Sequence, residues 1–120
     1  MREFSEALSI DPSLTDARFQ LAAVQSQKGD SAAAVITLRE LIRRSPDNAE
    51  AYNNLGLAQL QARDFPSAQE SLRKAVALKP GYAAARYNLG LVLQAAGDEA
   101  QARAAFDEAF RLDPSLRRAR

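Results

Sequence analysis

Prolines stand at positions 12, 46, 80 and 114, so that 34 residues separate each from the next. The chain holds only five prolines, and so regular an interval limits the architecture before any other residue is read. A period of this length marks stacked supersecondary units, each unable to bury its apolar face without a neighbour. Stacked units build an extended surface, and a surface serves binding more readily than chemistry.

Other residues keep the same beat. Leu21, Leu55 and Leu89 share one register and are followed by Ala22, Gly56 and Gly90. Ala34, Ala68 and Ala102 share another, then Leu38, Leu72 and Phe106. Gly29-Asp30 and Gly97-Asp98 match each other, with Arg63-Asp64 in the same place between them. The middle unit carries the fullest pattern, as Tyr52, Leu55-Gly56, Ala68, Leu72, Ala75 and Pro80. Spaced in this way, these residues resemble the tetratricopeptide repeat (TPR) family, and the resemblance extends over essentially the whole chain. It implies an all-α fold, a right-handed α-solenoid of antiparallel helix-turn-helix units. The expected division is the second helix of a preceding repeat over 1–14, repeats over 15–48, 49–82 and 83–116, and the truncated start of a further helix over 117–120.

The residues themselves predict two helices per period. In the middle unit the first runs from about Ala49 to Ala62, with Ala51, Tyr52, Leu55, Gly56 and Ala58 recurring at helical spacing on one stripe. Asn48 is placed to cap it, since its side-chain oxygen can accept an orphan amide of the first turn. The second runs from about Phe65 to Leu78 with Asp64 as cap and Pro66 in the first turn, where a missing N–H costs little. Ala68, Leu72, Ala75, Val76 and Leu78 form its stripe, and Pro80 blocks continuation. Gly56 and Gly90 are expected at the crossing of the two helices of a unit, facing Ala68 and Ala102. A glycine inside a helix costs about 1 kcal/mol against alanine, so a close approach is the physical reason to keep one. Gly29 and Gly97 fit left-handed helix ends, and Arg63 carries a strain of about 1–2 kcal/mol if it shares that conformation. The first unit departs most, with Leu41 in place of a small residue and Arg44 in place of an apolar one. Glu40–Arg44, Glu70–Lys74, Glu99–Arg103 and Asp107–Arg111 are i,i+4 pairs expected on a solvated outer face, each worth about 0.2–0.5 kcal/mol.

Composition removes whole classes of function. Cysteine and histidine are both absent, which excludes disulfides, thiolate nucleophiles, zinc clusters and imidazole acid–base chemistry. No metal or other cofactor is implied. Sixteen basic and 15 acidic side chains leave a net charge of +1, too small a field to recruit nucleic acid or anionic lipid. Arg117, Arg118 and Arg120 read as a solvated terminus rather than a nucleic-acid patch. Asp107 and Glu108, adjacent on a helix, point apart instead of flanking a substrate, so the chain is read as no enzyme. No apolar run approaches a membrane span of roughly 18 residues, and no signal segment follows Met1. The compartment stays open, with a soluble, cytoplasmic chain favoured.

Residues 1–10 fit only the second helix of an earlier unit, with Phe4, Ala7, Leu8 and Ile10 in the positions of Leu72, Ala75, Val76 and Leu78. Together with the last four residues, this suggests a segment of a longer array. Phe110 and its neighbours are then expected to stay partly exposed and to favour end-to-end self-association.

The TPR resemblance implies that first helices line a concave groove that holds an extended peptide or partner segment. The groove positions fall on Phe19, Gln20 and Ala23, then on Glu50, Asn53, Asn54, Leu57 and Gln61, then on Tyr87, Asn88, Leu91 and Gln94. Gln20, Asn54 and Asn88 share one register, an amide ladder able to satisfy both N–H and C=O of a peptide backbone. The alternative is that these amides bond locally or face water. Asn54-Leu55-Gly56 and Asn88-Leu89-Gly90 also look like the repeats that precede O-linked N-acetylglucosamine transferase domains. A substrate-recruiting segment of a larger enzyme or assembly protein, such as a glycosyltransferase with TPR repeats, is therefore the alternative to a free-standing, non-catalytic scaffold. The carboxylate clamp of chaperone-binding members is not expected, because its positions carry Phe19, Ala23, Ala84 and Asn88, with Asn54 alone fitting.

Overall fold

A computed structural model describes residues 12–118. Seven helices follow one another there, with no strand among the described residues: α1 (Pro12–Gln27), α2 (Ser31–Arg44), α3 (Ala49–Gln61), α4 (Phe65–Leu78), α5 (Ala83–Ala95), α6 (Glu99–Leu112) and the single turn α7 (Ser115–Arg118). Each helix packs on the next in sequence, and α3 also touches α1 and α5. The result is a solenoid with principal extents of 48 × 26 × 22 Å. The helix expected over residues 1–10, with Ala119 and Arg120, lies outside the described residues.

Local chemistry accounts for the boundaries. Asp30, Asn48 and Asp98 each accept a hydrogen bond from the backbone amide three residues on, at 3.1, 3.0 and 3.2 Å, which satisfies one of the amides that a helix start leaves open. Asp64 occupies the same position without such a bond, contrary to its expected capping role. Pro66 has already removed one of the amides that needed a partner. Gly29 and Gly97 lie at φ of 81° and 90°, and Arg63 takes the same left-handed conformation at φ of 63°. These residues end the first helices, and Gly29, Arg63 and Gly97 each donate an amide to a last-turn carbonyl. The first helix starts earlier than expected, since residues 12–14 belong to α1 and not to a preceding element. Leu14 stands where Asn48 caps α3, and a leucine offers no capping oxygen but continues a helix well.

The core runs along the seams between first and second helices. Ala68, Leu72 and Ala75 of α4 are fully buried, as are Ala85 and Val92 of α5. Gly56 and Gly90 do mark close approaches, but against different partners from those expected. A Cβ at Gly56 would lie 2.5 Å from Leu72 Cγ, and one at Gly90 would lie 2.7 Å from the Phe106 ring. Large side chains, not Ala68 and Ala102, fill the space that the glycines vacate. Tyr87, Phe106 and Phe110 close the last seam, with ring centroids 5.2 to 6.2 Å apart, the tilted and offset geometry that aromatic quadrupoles favour.

Two corrections concern the surface. Phe110 is only 8% exposed, because Tyr87 and Phe106 pack on it, Leu116 joins the same cluster, and the Arg117 guanidinium sits 4.8 Å over its ring. The exposed aromatic expected to drive end-to-end association is not there. Arg111 pairs with Glu108 at i,i+3 rather than with Asp107, and Glu40 pairs with both Arg43 and Arg44. Among the described residues, no ion pair joins Glu70 to Lys74 or Glu99 to Arg103.

Candidate peptide-binding wall

The first helices α1, α3 and α5 stand side by side and form one wall of the solenoid. Between α1 and α3 this wall opens into a pocket of about 430 Å³. Ala22, Ala23, Ser26 and Gln27 of α1 line one side, and Asn54, Leu57, Leu60 and Gln61 of α3 line the other. Leu38 of α2, 1% exposed, forms the floor. The small side chains at Ala22 and Ala23 leave the space, and Leu57, 37% exposed, presents apolar surface to it. Gln61 bridges the two helices by donating Nε2 at 2.9 Å to the Ser26 carbonyl, which also accepts the Gly29 amide. Among the described residues, no charged one lines the pocket.

The structure thus brings together four of the residues expected at the groove: Ala23, Asn54, Leu57 and Gln61. Gln20 lies exposed on α1. Phe19 is half-buried against the first-unit core, and Tyr87 and Leu91 are half-buried against the last. Gln94 lines a different pocket of about 490 Å³ with Arg103, Phe106, Asp107, Phe110 and Arg117.

Asn53 has a different role from the one expected. It is 6% exposed, and its Oδ1 accepts a hydrogen bond from Asn88 Nδ2 at 2.9 Å. Its own Nδ2 points to Asn54 Oδ1 at 3.4 Å. A buried amide must find such partners, and Asn53 finds them inside the protein. Asn88 is drawn into the same chain of amides, which couples α3 to α5. Tyr82 titrates above its ordinary value, first because burial disfavours the phenolate and then because Glu50 is nearby, while the neighbouring Asn53 amide works in the opposite direction.

A second polar device was not anticipated. Ser71 donates to Gln59 Oε1 at 2.6 Å within the core of the second unit, and Thr37 donates to Gln25 Oε1 at 2.8 Å in the first. The two pairs are in register, 34 residues apart, and the third unit replaces them with Leu93 and Ala105. Each joins the two helices of its unit. The available signal was a Gln followed twelve residues later by a hydroxyl, twice, at the repeat spacing.

Comparison with known proteins agrees with this architecture. The tetratricopeptide repeat model matches residues 19–68 and 57–116. No curated protein matches the sequence. Among solved structures, MamA is 29% identical with a TM-score of 0.80, over 98% of this chain and 69% of that one. The TPR2AB domain of yeast Sti1, in a complex with pHSP90, is 24% identical with a TM-score of 0.81, over 98% of this chain and 45% of that one. The second TPR of Spaghetti (RPAP3), bound to the HSP90 peptide SRMEEVD, is 18% identical with a TM-score of 0.77, over 82% of this chain and 92% of that one. No helix among the described residues is long and apolar enough to cross a membrane. With its repeats matched over most of its length, the chain belongs to the tetratricopeptide repeat family.

Proposed function

We propose that this protein is a non-catalytic interaction module that holds an extended peptide along α1, α3 and α5, with one apolar side chain of the peptide seated between α1 and α3. The observation that carries this reading is the pocket of about 430 Å³ whose lining is apolar below and amide-bearing at the rim. Asn54 and Gln61 offer donors and acceptors suited to a peptide backbone, while Ala22, Ala23, Leu57 and Leu60 suit a side chain of leucine or phenylalanine size. Related folds in complex with peptides support it further.

The chemistry of the lining favours a neutral partner. SRMEEVD, the peptide held by one structural relative, carries three acidic side chains. Here Phe19, Ala23, Ala84 and Asn88 offer no cation at the clamp positions. Such a groove gains little from an acidic tail, and its affinity is expected to change little with salt. Peptides selected on the immobilised protein from a random display library provide the test. The expected consensus contains an apolar anchor and no acidic run, and Leu57→Glu weakens the selected peptides at least about tenfold, or about 1.4 kcal/mol. Leu57 is 37% exposed, so the variant should fold. Selected peptides that bind Leu57→Glu unchanged would rule the reading out.

A further inference from the structure

Two further pockets repeat with the period of the prolines. One, of about 350 Å³, lies between α2, α3 and α4, and the other, of about 240 Å³, lies between α4, α5 and α6. Every position that lines the first has its counterpart 34 residues later in the second. Tyr52, Leu55 and Gln59 face the first pocket from about half a turn round α3 from Leu57 and Gln61. It therefore shares no lining residue with the peptide pocket.

The same frame holds different charges. Arg73 takes the place of Arg39, Arg86 that of Tyr52, and Glu108 that of Lys74. The second pocket thus carries its own carboxylate, and its charged groups are engaged. Arg111 pairs with Glu108, Arg73 donates to Gln101 Oε1 at 3.3 Å, and Arg86 donates twice to the Pro80 carbonyl, at 3.0 and 3.2 Å. In the first pocket, among the described residues, no ion pair or side-chain hydrogen bond holds Arg39 or Lys74. Those two cations face the single carboxylate of Glu70. The floor is incomplete as well. Gln59 is 4% exposed and its Oε1 accepts the Ser71 hydroxyl, but its Nε2 has no protein partner among the described residues. A buried amide nitrogen needs an acceptor, and Gln59 lines the pocket from which one can reach it. The third unit removes that need, with Leu93 and Ala105 in the places of Gln59 and Ser71.

We propose that the pocket between α2, α3 and α4 is a second docking site, which receives an acidic side chain of a partner protein segment. Arg39 and Lys74 hold its carboxylate from the walls, and Gln59 Nε2 donates to it from the floor. Charge sets the class of ligand. One carboxylate balances the excess of Arg39 and Lys74 over Glu70, whereas a phosphate dianion exceeds it and is repelled by Glu70. Size points the same way, since about 350 Å³ is more than a bare carboxylate fills and admits the apolar stem of a glutamate beside Tyr52 and Leu55. The neighbouring unit meets the same demand internally through Glu108. Here the carboxylate has to come from outside.

Amide and methyl NMR of the whole chain tests the site with three probes. These are a mixture of capped tetrapeptides with glutamate fixed at one position and neutral residues elsewhere, the same mixture with glutamine there, and inorganic phosphate. The glutamate mixture is expected to shift the Gln59 side-chain amide and the backbone amides of Ser67 and Ser71, with the glutamine mixture at least about tenfold weaker. Raised salt should weaken the response. Lys74→Glu gives this pocket the carboxylate that Glu108 gives the next one, and should abolish the shifts. Lys74 is exposed, and unchanged core methyl signals from α5 and α6 would show that the variant folds. Leu57→Glu should leave the response intact, so that this site and the peptide wall stand or fall separately. Absence of a shift at Gln59, an equal response to both mixtures, a response to phosphate alone or binding retained in Lys74→Glu would each overturn the proposal. So would shifts at these residues that grow with protein concentration alone, the mark of a second copy as occupant.

Discussion

Gly56 and Gly81 respond to an added methyl in opposite directions. Gly56→Ala gains about 1 kcal/mol of helix propensity, yet its Cβ would lie 2.5 Å from Leu72 Cγ in a filled seam. Overpacking of this kind costs about 1–3 kcal/mol, so the variant is expected to be less stable in urea. Gly81 sits in the link before α5 with nothing within 4 Å of an added Cβ and without a positive φ. Gly81→Ala should stabilise by about 0.4–1 kcal/mol through the unfolded chain. The buried pair Gln59–Ser71 makes a second contrast. Ser71→Ala strips the partner from a glutamine that is 4% exposed, a loss of about 1–3 kcal/mol. Gln59→Leu with Ser71→Ala copies the Leu93 and Ala105 of the third unit and should recover most of it. Urea midpoints for the two variants would contradict this account if the double variant were the weaker. Arg63 shows a balance of small effects: relief of about 1–2 kcal/mol of left-handed strain is offset in Arg63→Gly by loss of the stack over Phe65, 5.2 Å away, worth about 0.5–1 kcal/mol.

The two helices of the middle unit were legible to within a residue. Proline spacing, caps and apolar stripes placed Phe65–Leu78 as observed and Ala49–Gln61 one residue short of expectation. These signals are local, and local signals survive without tertiary knowledge. What misled was contact across elements. Asn53 and Asn54 are adjacent and chemically alike, yet Asn53 is buried against Asn88 of α5 while Asn54 lines the pocket. Phe110 was expected to be partly exposed because only the truncated start of a further helix was foreseen after it, yet one turn, α7, suffices to bring Leu116 and Arg117 onto it. Gln59 and Ser71 lie off the apolar stripes, and only the packed unit shows that they satisfy each other. The α4–α5 link offers a test at this scale. The Tyr82 phenol is held above its ordinary value, chiefly by burial. A raised folded pKa means that this contribution is fully present below the unfolded value of about 10 and is lost as pH rises through the higher folded one. Stability should therefore fall less steeply on the alkaline side in Tyr82→Phe, as read from urea midpoints at neutral pH and above pH 10.

In the whole molecule, stacking turns weak local preferences into one continuous wall. Each first helix is held by the second helix of its own unit and, from the second unit on, by that of the unit before it. The wall can therefore be assembled from alanine and glycine contacts with few aromatics. The same repetition makes the candidate site partly legible. The family resemblance implied Ala23, Asn54, Leu57 and Gln61 as groove positions, and the structure brings those four to one pocket. The resemblance could not reveal that the pocket lies between α1 and α3 rather than between α3 and α5. There Leu57 and Leu60 stand in the register of Ala23 and Ser26 of α1, and the Asn53–Asn88 bond joins the two helices. The central claim, that this wall grips a neutral peptide through an apolar anchor, is tested most directly by an amide and methyl NMR titration with a display-selected peptide. The predicted shifts centre on Ala23, Ser26, Asn54, Leu57 and Gln61 and persist at raised salt. Shifts confined to the outer faces of α2, α4 and α6, or to the pocket around Arg103 and Arg117, would contradict it.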